Sequence, residues 1–442
     1  MLHLLTLSHV GVGGVLLGGT VTTFALGDKQ ETGLASPLSH SLSQLTWFIT
    51  QVSLLLILGQ NKSQNSLGGI TLLVTEGMHL FVFFTANLLT FFVFYEAVLV
   101  PLTFLISQGG SGAGRLRAGI LFFVYTIGGS APILIATLYL MSTQNAILNK
   151  GAEAITSLNL YSEEVGILWL AFGGSFAIKT PLYPFLIWLI HAHTESPLEG
   201  SIILAGVVLK LAIFGVSVIL TALLWEGGLA LISYALTLGL VSLLLASGAI
   251  LQQLDLKGFV ALSSVAHIGI GTIGIICLTE DGISGAWLLA LAHGLVSPCL
   301  FLIAGGVIYR SFASRLIYPF RGGGIILPFI GLTFLLATLA NIATPPSPNW
   351  ESEAIILVGL AQEHKVACFM SSSSVTLVAL YSIWLYNRLI QGETGPLIRT
   401  TPDMPIIDSY VLVYTLSLVT LIGILSSAVG DIHSALGWNL FL

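Results

Sequence analysis

Residues 173–217 read GGSFAIKTPLYPFLIWLIHAHTESPLEGSIILAGVVLKLAIFGVS. Two lysines, Lys179 and Lys210, stand inside apolar runs long enough to cross a bilayer. Lys179 is followed by Thr180, Pro181 and, three residues later, Pro184. A proline lacks the backbone donor, and its ring pushes off the carbonyl four residues back, here Ala177. The helix is therefore expected to break just after its charge. A broken membrane helix beside an ionisable group is the construction of an ion or proton site. A charge at mid-membrane costs several kcal/mol, so it persists where it works or is paired.

The composition agrees. Of 442 residues, 55% are hydrophobic and 8% charged, where a soluble domain carries about 25% charged residues. An all-α polytopic membrane protein is the only class these figures fit. The net charge of −6 is scattered over short loops and points to no nucleic-acid partner. Cys277, Cys299 and Cys368 have no metal-ligand spacing and read as small core residues. No cleavable leader is evident, and the apolar stretch from Met1 reads as a first span.

Runs of about 20 apolar residues lie near 4–26, 43–60, 67–86, 87–107, 117–140, 165–180, 199–224, 228–250, 258–278, 285–308, 323–343, 367–390 and 409–429. That is about thirteen spans. Segments 181–195 and 350–365 continue broken helices, each beginning at a proline cluster: Pro181 and Pro184, then Pro345, Pro346 and Pro348. Counted in spans, the breaks fall five apart. An odd spacing makes two repeats point opposite ways, the layout of an inverted-repeat transporter. The expected division is 1–66 for N-terminal spans, 67–224 and 228–390 for the repeats, and 391–442 for the last span and tail. Residues 144–164 read as a surface element, and 430–442 as an interfacial tail.

Loop charges support this order. Lys62, Arg115, Arg117, Lys257, Arg310, Arg315, Arg321, Arg388 and Arg399 fall on one side, against Lys150 and Lys365 on the other. The basic side is then cytoplasm or matrix.

Six ionisable residues fall within spans: Glu96, Lys179, Lys210, His267, His293 and Glu353. Burial and neighbouring charges move lysine and glutamate in opposite directions, so such a series can pass protons stepwise and be switched by moving one charge. Bland readings stand beside this one. A Glu96–Lys179 pair is also a static ion pair, and a histidine in a glycine-rich helix is also a donor to a carbonyl. Glu351 reads as solvated or as supporting the acid at Glu353, His191 and His193 as capping or facing water at the membrane edge, and Glu195 and Glu199 as loop charges. Glu76 and His79 sit near a helix start, where a structural role and a polar entry path are both open. Moving a proton against 100 mV costs about 2.3 kcal/mol. The chain has no phosphate-binding loop, dinucleotide fingerprint, or haem or iron–sulfur ligand set, so that energy must come from elsewhere.

At these residues a resemblance becomes specific. FYEAVLVP (94–101), KTPLYPFLIWLIHAHTESPLEGSIILAGVVLKL (179–211), LKGFVALSSVAHIG (256–269) and LAHGLVSPCLFLIAGGVIYR (291–310) resemble the antiporter-like membrane subunits of respiratory complex I. The likeness covers about residues 65 to 400. It implies two inverted five-helix repeats, 13–14 spans in all, with a central line of polar residues. The family's proton-relay residues fall on Glu96, Lys179, Lys210, His267, His293 and Glu353. Glu353, where the chain 2 and chain 5 types carry lysine, favours the chain 4 type. The family's PPxxNxxGE here reads PPSPNWESE (345–353), with Ser352 in place of glycine and Glu351 added.

The resemblance implies a proton-pumping subunit lying between chains 2 and 5 and bathed in phospholipid. It implies no cofactor in this chain; NADH, FMN, iron–sulfur clusters and ubiquinone would belong to other subunits. An inner mitochondrial membrane is the expected location, with a bacterial plasma membrane as the alternative. Two other functions share the scaffold: a subunit of a multi-subunit sodium/proton antiporter, and a non-transporting structural subunit.

Overall fold

The computed structural model describes residues 37–59, 65–85, 87–110, 112–143, 162–221, 223, 229–312, 314–317, 322–393 and 404–429. These residues fold as helices packed side by side, with one isolated bridge between Asp255 and Leu316. In chain order they are α1 (Pro37–Gly59), α2 (Asn65–Phe84), α3 (Leu88–Gly109), α4 (Arg115–Thr143), α5 (Ser162–Lys179) and α6 (Ile187–Glu195). Then follow α7 (Leu198–Leu220), α8 (Leu229–Ile250), α9 (Leu256–Ile276) and α10 (Glu280–Ile308). The last are α11 (Pro328–Asn341), α12 (Pro348–Glu363), α13 (Lys365–Ile390) and α14 (Ile406–Val429).

Ten of these are long and apolar enough to cross a membrane. The interrupted pairs α5/α6 and α11/α12 supply two more of the expected stretches. The expected span 4–26, the surface element 144–164 and the tail 430–442 lie outside the described residues, apart from the start of α5. The interruptions are the fifth and tenth spans described, so they fall five apart, as the proline clusters predict.

Both breaks satisfy the backbone groups they free, which hydrocarbon requires. At the first, the Thr180 N–H and hydroxyl both donate to the Phe176 carbonyl at 2.8 Å. The Ala177 carbonyl, which Pro181 displaces, accepts from Leu182 N–H at 2.9 Å. The Ile178 carbonyl accepts from the Trp188 indole at 2.9 Å. At the second, the Leu339 carbonyl accepts both the N–H and the hydroxyl of Thr344, and the Ser347 N–H closes back on Thr344 O.

Burial sorts the helices. Nearly all of α7, α9 and α10 is enclosed, whereas α2 and α13 turn most of their surface outward. The enclosed helices carry three of the six candidate residues, Lys210, His267 and His293. Glycine lets them meet. A side chain at Gly294 of α10 would strike Leu45 and press on the Gly206 carbonyl, and one at Gly285 would strike the α12 backbone at Ser352 and Ile356.

Candidate proton-transfer line

Glu96 and Lys179 meet at the first break. The Lys179 ammonium stands 3.2 Å from the Glu96 carboxylate and donates to the Tyr95 carbonyl at 2.9 Å. It also sits over the Tyr95 ring, 3.2 Å from the centroid. An ammonium in hydrocarbon needs this much company: an anion, a carbonyl and a π-face. The second carboxylate oxygen of Glu96 and the Tyr95 hydroxyl are buried with no protein partner.

Lys210 lies at the centre of α7 and is fully enclosed, at 0% exposure. Two π-helical turns, Leu204–Val208 and Val216–Leu220, flank it. Such turns widen a helix and release carbonyls. Lys210 uses one, donating to the Ala205 carbonyl at 2.5 Å. Its other contact is His293 Nδ1 at 2.9 Å. The His293 ring lies 5.6 Å from the His267 ring, and His267 Nδ1 meets the Glu353 carboxylate at 2.7 Å. Lys210, His293, His267 and Glu353 therefore form one series from α7 through α10 and α9 to α12.

One placement of protons gives that series a polarity. With Lys210 protonated, His293 accepts at Nδ1 and holds its proton on Nε2. With Glu353 ionised, His267 donates from Nδ1 and offers a lone pair at Nε2. The two Nε2 atoms, both buried without a protein partner, are then a donor and an acceptor that a water can join.

The six residues form two groups rather than one. Among the described residues no hydrogen bond links Lys179 to Lys210. The helices that carry them meet at apolar contacts, with the Phe176 ring where a side chain on Gly215 would stand. Phe176 also packs edge-on to Tyr95, and Phe214 packs on Phe83 and Phe91.

Four sequence expectations need correction. Lys257 is not a loop charge: it lies buried in the first turn of α9, donating to Ser196 O at 2.9 Å and Ser201 Oγ at 3.1 Å. A lysine two residues after an Asp N-cap opposes the helix dipole, and that was the available signal. His191 is exposed, but His193 is fully buried, stacked on Phe301 at 4.5 Å, with both ring nitrogens unpartnered. It lies within electrostatic reach of both Lys257 and Lys210. Glu199 is buried in the first turn of α7, and Glu195 is half-buried at the end of α6. Glu76 and His79 lie in the second half of α2, with His79 buried. Glu351, half-buried beside the enclosed Glu353, takes the supporting position, the second of its two readings.

Residues 85–379 match the family described as NADH:quinone oxidoreductase/Mrp antiporter, TM. NADH-ubiquinone oxidoreductase chain 4 of Mycosarcoma maydis is 37% identical over 392 residues, 88% of this chain and 80% of that one. NADH-quinone oxidoreductase subunit M of Rickettsia prowazekii is 35% identical over 350 residues, 79% and 70% of the two chains. A chain of respiratory complex I from Thermus thermophilus superposes with a TM-score of 0.83 at 24% identity, covering 97% of this chain and 93% of that one. A chain of the Mrp complex from Dietzia sp. DQ12-45-1b gives the same score at 15% identity, covering 99% and 92%. A polytopic helical chain with two broken helices and a buried Lys–His–His–Glu series, similar to these relatives along most of its length, belongs to the NADH:quinone oxidoreductase/Mrp antiporter membrane-subunit family.

Proposed function

We propose that this chain is the chain 4 subunit of a proton-pumping NADH:ubiquinone oxidoreductase, and that Glu96, Lys179, Lys210, His293, His267 and Glu353 carry its protons. The observation that carries the reading is the buried series of contacts from Lys210 through His293 and His267 to Glu353. Lys210 gives a proton to His293 Nδ1; His293 gives its Nε2 proton through a water to His267 Nε2; His267 gives its Nδ1 proton to Glu353. One proton moves from the lysine to the acid, and both rings end in the opposite tautomer. A return series resets them. Lys257, Ser201 and His193 extend the line from Lys210 toward the basic side of the bundle.

The Glu96–Lys179 pair is the switch. While the carboxylate stays close, the ammonium keeps its proton; when Glu96 moves away, Lys179 can release it. The driving energy would come from NADH oxidation and ubiquinone reduction at the FMN, iron–sulfur and quinone sites of other subunits. Chains 2 and 5 would flank this one in the inner mitochondrial membrane, with phospholipid around them. The Mrp-type scaffold fits equally well by shape, but similarity to chain 4 and subunit M over most of the chain favours the redox-driven complex.

Lys179→Arg separates a switch from a static pair. Arginine keeps the ion pair but holds its proton at any physiological pH. A static pair tolerates it, so assembly and pumping would both persist. The proposal expects an assembled complex whose NADH-driven pumping falls about tenfold or more. Normal pumping in that variant would overturn it.

A further inference from the structure

His79 has no place in the series above, yet it is 1% exposed in the outward-facing helix α2. The hairpin of α2 and α3 fixes its level. Phe81 stacks on Phe94 at 4.5 Å, and Phe83 and Phe91 both reach Phe214. In antiparallel helices with that register, His79 stands level with Tyr95 and Glu96. Its ring bonds the Thr75 carbonyl and lies within electrostatic reach of Lys179. A neutral imidazole bonded to a carbonyl donates from that nitrogen, so Nε2 is a bare lone pair, buried with no protein partner. The free Glu96 oxygen and the Tyr95 hydroxyl are buried and unpartnered at the same level. A histidine that served only to bond its own helix would leave Nε2 bare at a cost of about 1–3 kcal/mol. Glu76, three residues earlier on the same face, is half-buried and reaches the flank of α2.

We infer that His79 is a second proton acceptor at the Glu96–Lys179 pair and that Glu76 connects it to the flank of the molecule. This rests on the reading of that pair as a proton site. The N–H bond breaks at the Lys179 ammonium and forms, through a water, at His79 Nε2. Lysine becomes neutral and the ring becomes imidazolium, still bonded to Thr75. Glu96 thus balances one positive charge at either of two positions, and two cations do not coexist there. The imidazolium then passes its Nε2 proton to the Glu76 carboxylate.

The test is NADH-driven proton uptake into native membrane vesicles holding the assembled complex, normalised to NADH oxidation, across a pH series. His79→Gln keeps the size and a donor for Thr75 but cannot take a proton. The expected result is normal assembly, a fall in pumping of roughly tenfold and a changed pH profile. Glu76→Gln is expected to lower pumping less. Wild-type pumping and pH profile in His79→Gln would overturn the inference. If that variant does not assemble, Glu76→Gln decides, and a wild-type profile there overturns it. Loss of pumping in Lys179→Arg together with normal His79→Gln removes only the side branch, whereas normal pumping in Lys179→Arg removes the pair itself.

Discussion

Glu351 and Glu353 stand two residues apart on α12, and only one faces the histidines. Glu353 is 3% exposed and bonded to His267; Glu351 is half-buried with one oxygen unpartnered. Residues two apart on a helix point to different faces, so the two acids have separate environments. Glu353→Gln keeps a hydrogen bond to His267 but removes the site for the arriving proton. Pumping in that variant is expected to fall about tenfold or more, and Glu351→Gln is expected to leave most of it. Proton uptake by vesicles normalised to NADH oxidation checks both. At Lys179 the effect on stability is separate. Glu96→Ala leaves a buried ammonium with only a carbonyl and a ring, a loss of about 3–5 kcal/mol. The amount of assembled complex on a native gel is expected to drop in that variant and to recover in Glu96→Asp.

Among the elements, the close crossings of α10 with α7 and α12 decide whether the series exists. A side chain at Gly285 meets backbone atoms that cannot turn aside. Gly285→Val is therefore expected to separate α10 from α12, open the His267–Glu353 contact and abolish pumping in whatever complex assembles. Gly128→Val on α4, with open space beyond it, is expected to assemble and pump normally; native gels and vesicle uptake distinguish the two. The first break behaves differently. Trp188→Phe removes the donor to the Ile178 carbonyl and leaves it bare in a dry interior. A loss of about 1–3 kcal/mol is expected, read as a lower temperature of complex dissociation. Pumping below that temperature is expected to stay intact.

For the whole molecule, several helices turn large apolar side chains outward, among them α2, α4 and α13. We propose the orientation that the basic loops imply, with Arg117 on the matrix or cytoplasmic side. In a Cys368→Ser background, Arg117→Cys is expected to react with an impermeant thiol reagent only from the matrix or cytoplasmic side, and Lys365→Cys only from the opposite side. Both positions are exposed, and Cys277 and Cys299 are buried. Labelling of both from one side would mean a miscounted span between them.

Sequence alone determined the helical class, the twelve stretches described as spans or broken helices, and the two breaks five spans apart. Apolar length and proline chemistry act locally, so they are legible without a fold. It also named Glu96, Lys179, Lys210, His267, His293 and Glu353, because a charge in a long apolar run stands out by itself. Tertiary structure decided which of them meet. Hydrogen bonds across 83 to 86 residues join Lys179 to Glu96, Lys210 to His293 and His267 to Glu353. No pattern within one helix encodes such pairings, which depend on how closely neighbouring helices approach. The same reason hid Lys257, His193 and His79. Each lies near a helix end or on a half-exposed helix, where sequence suggests water, and only the packing of other helices takes that water away.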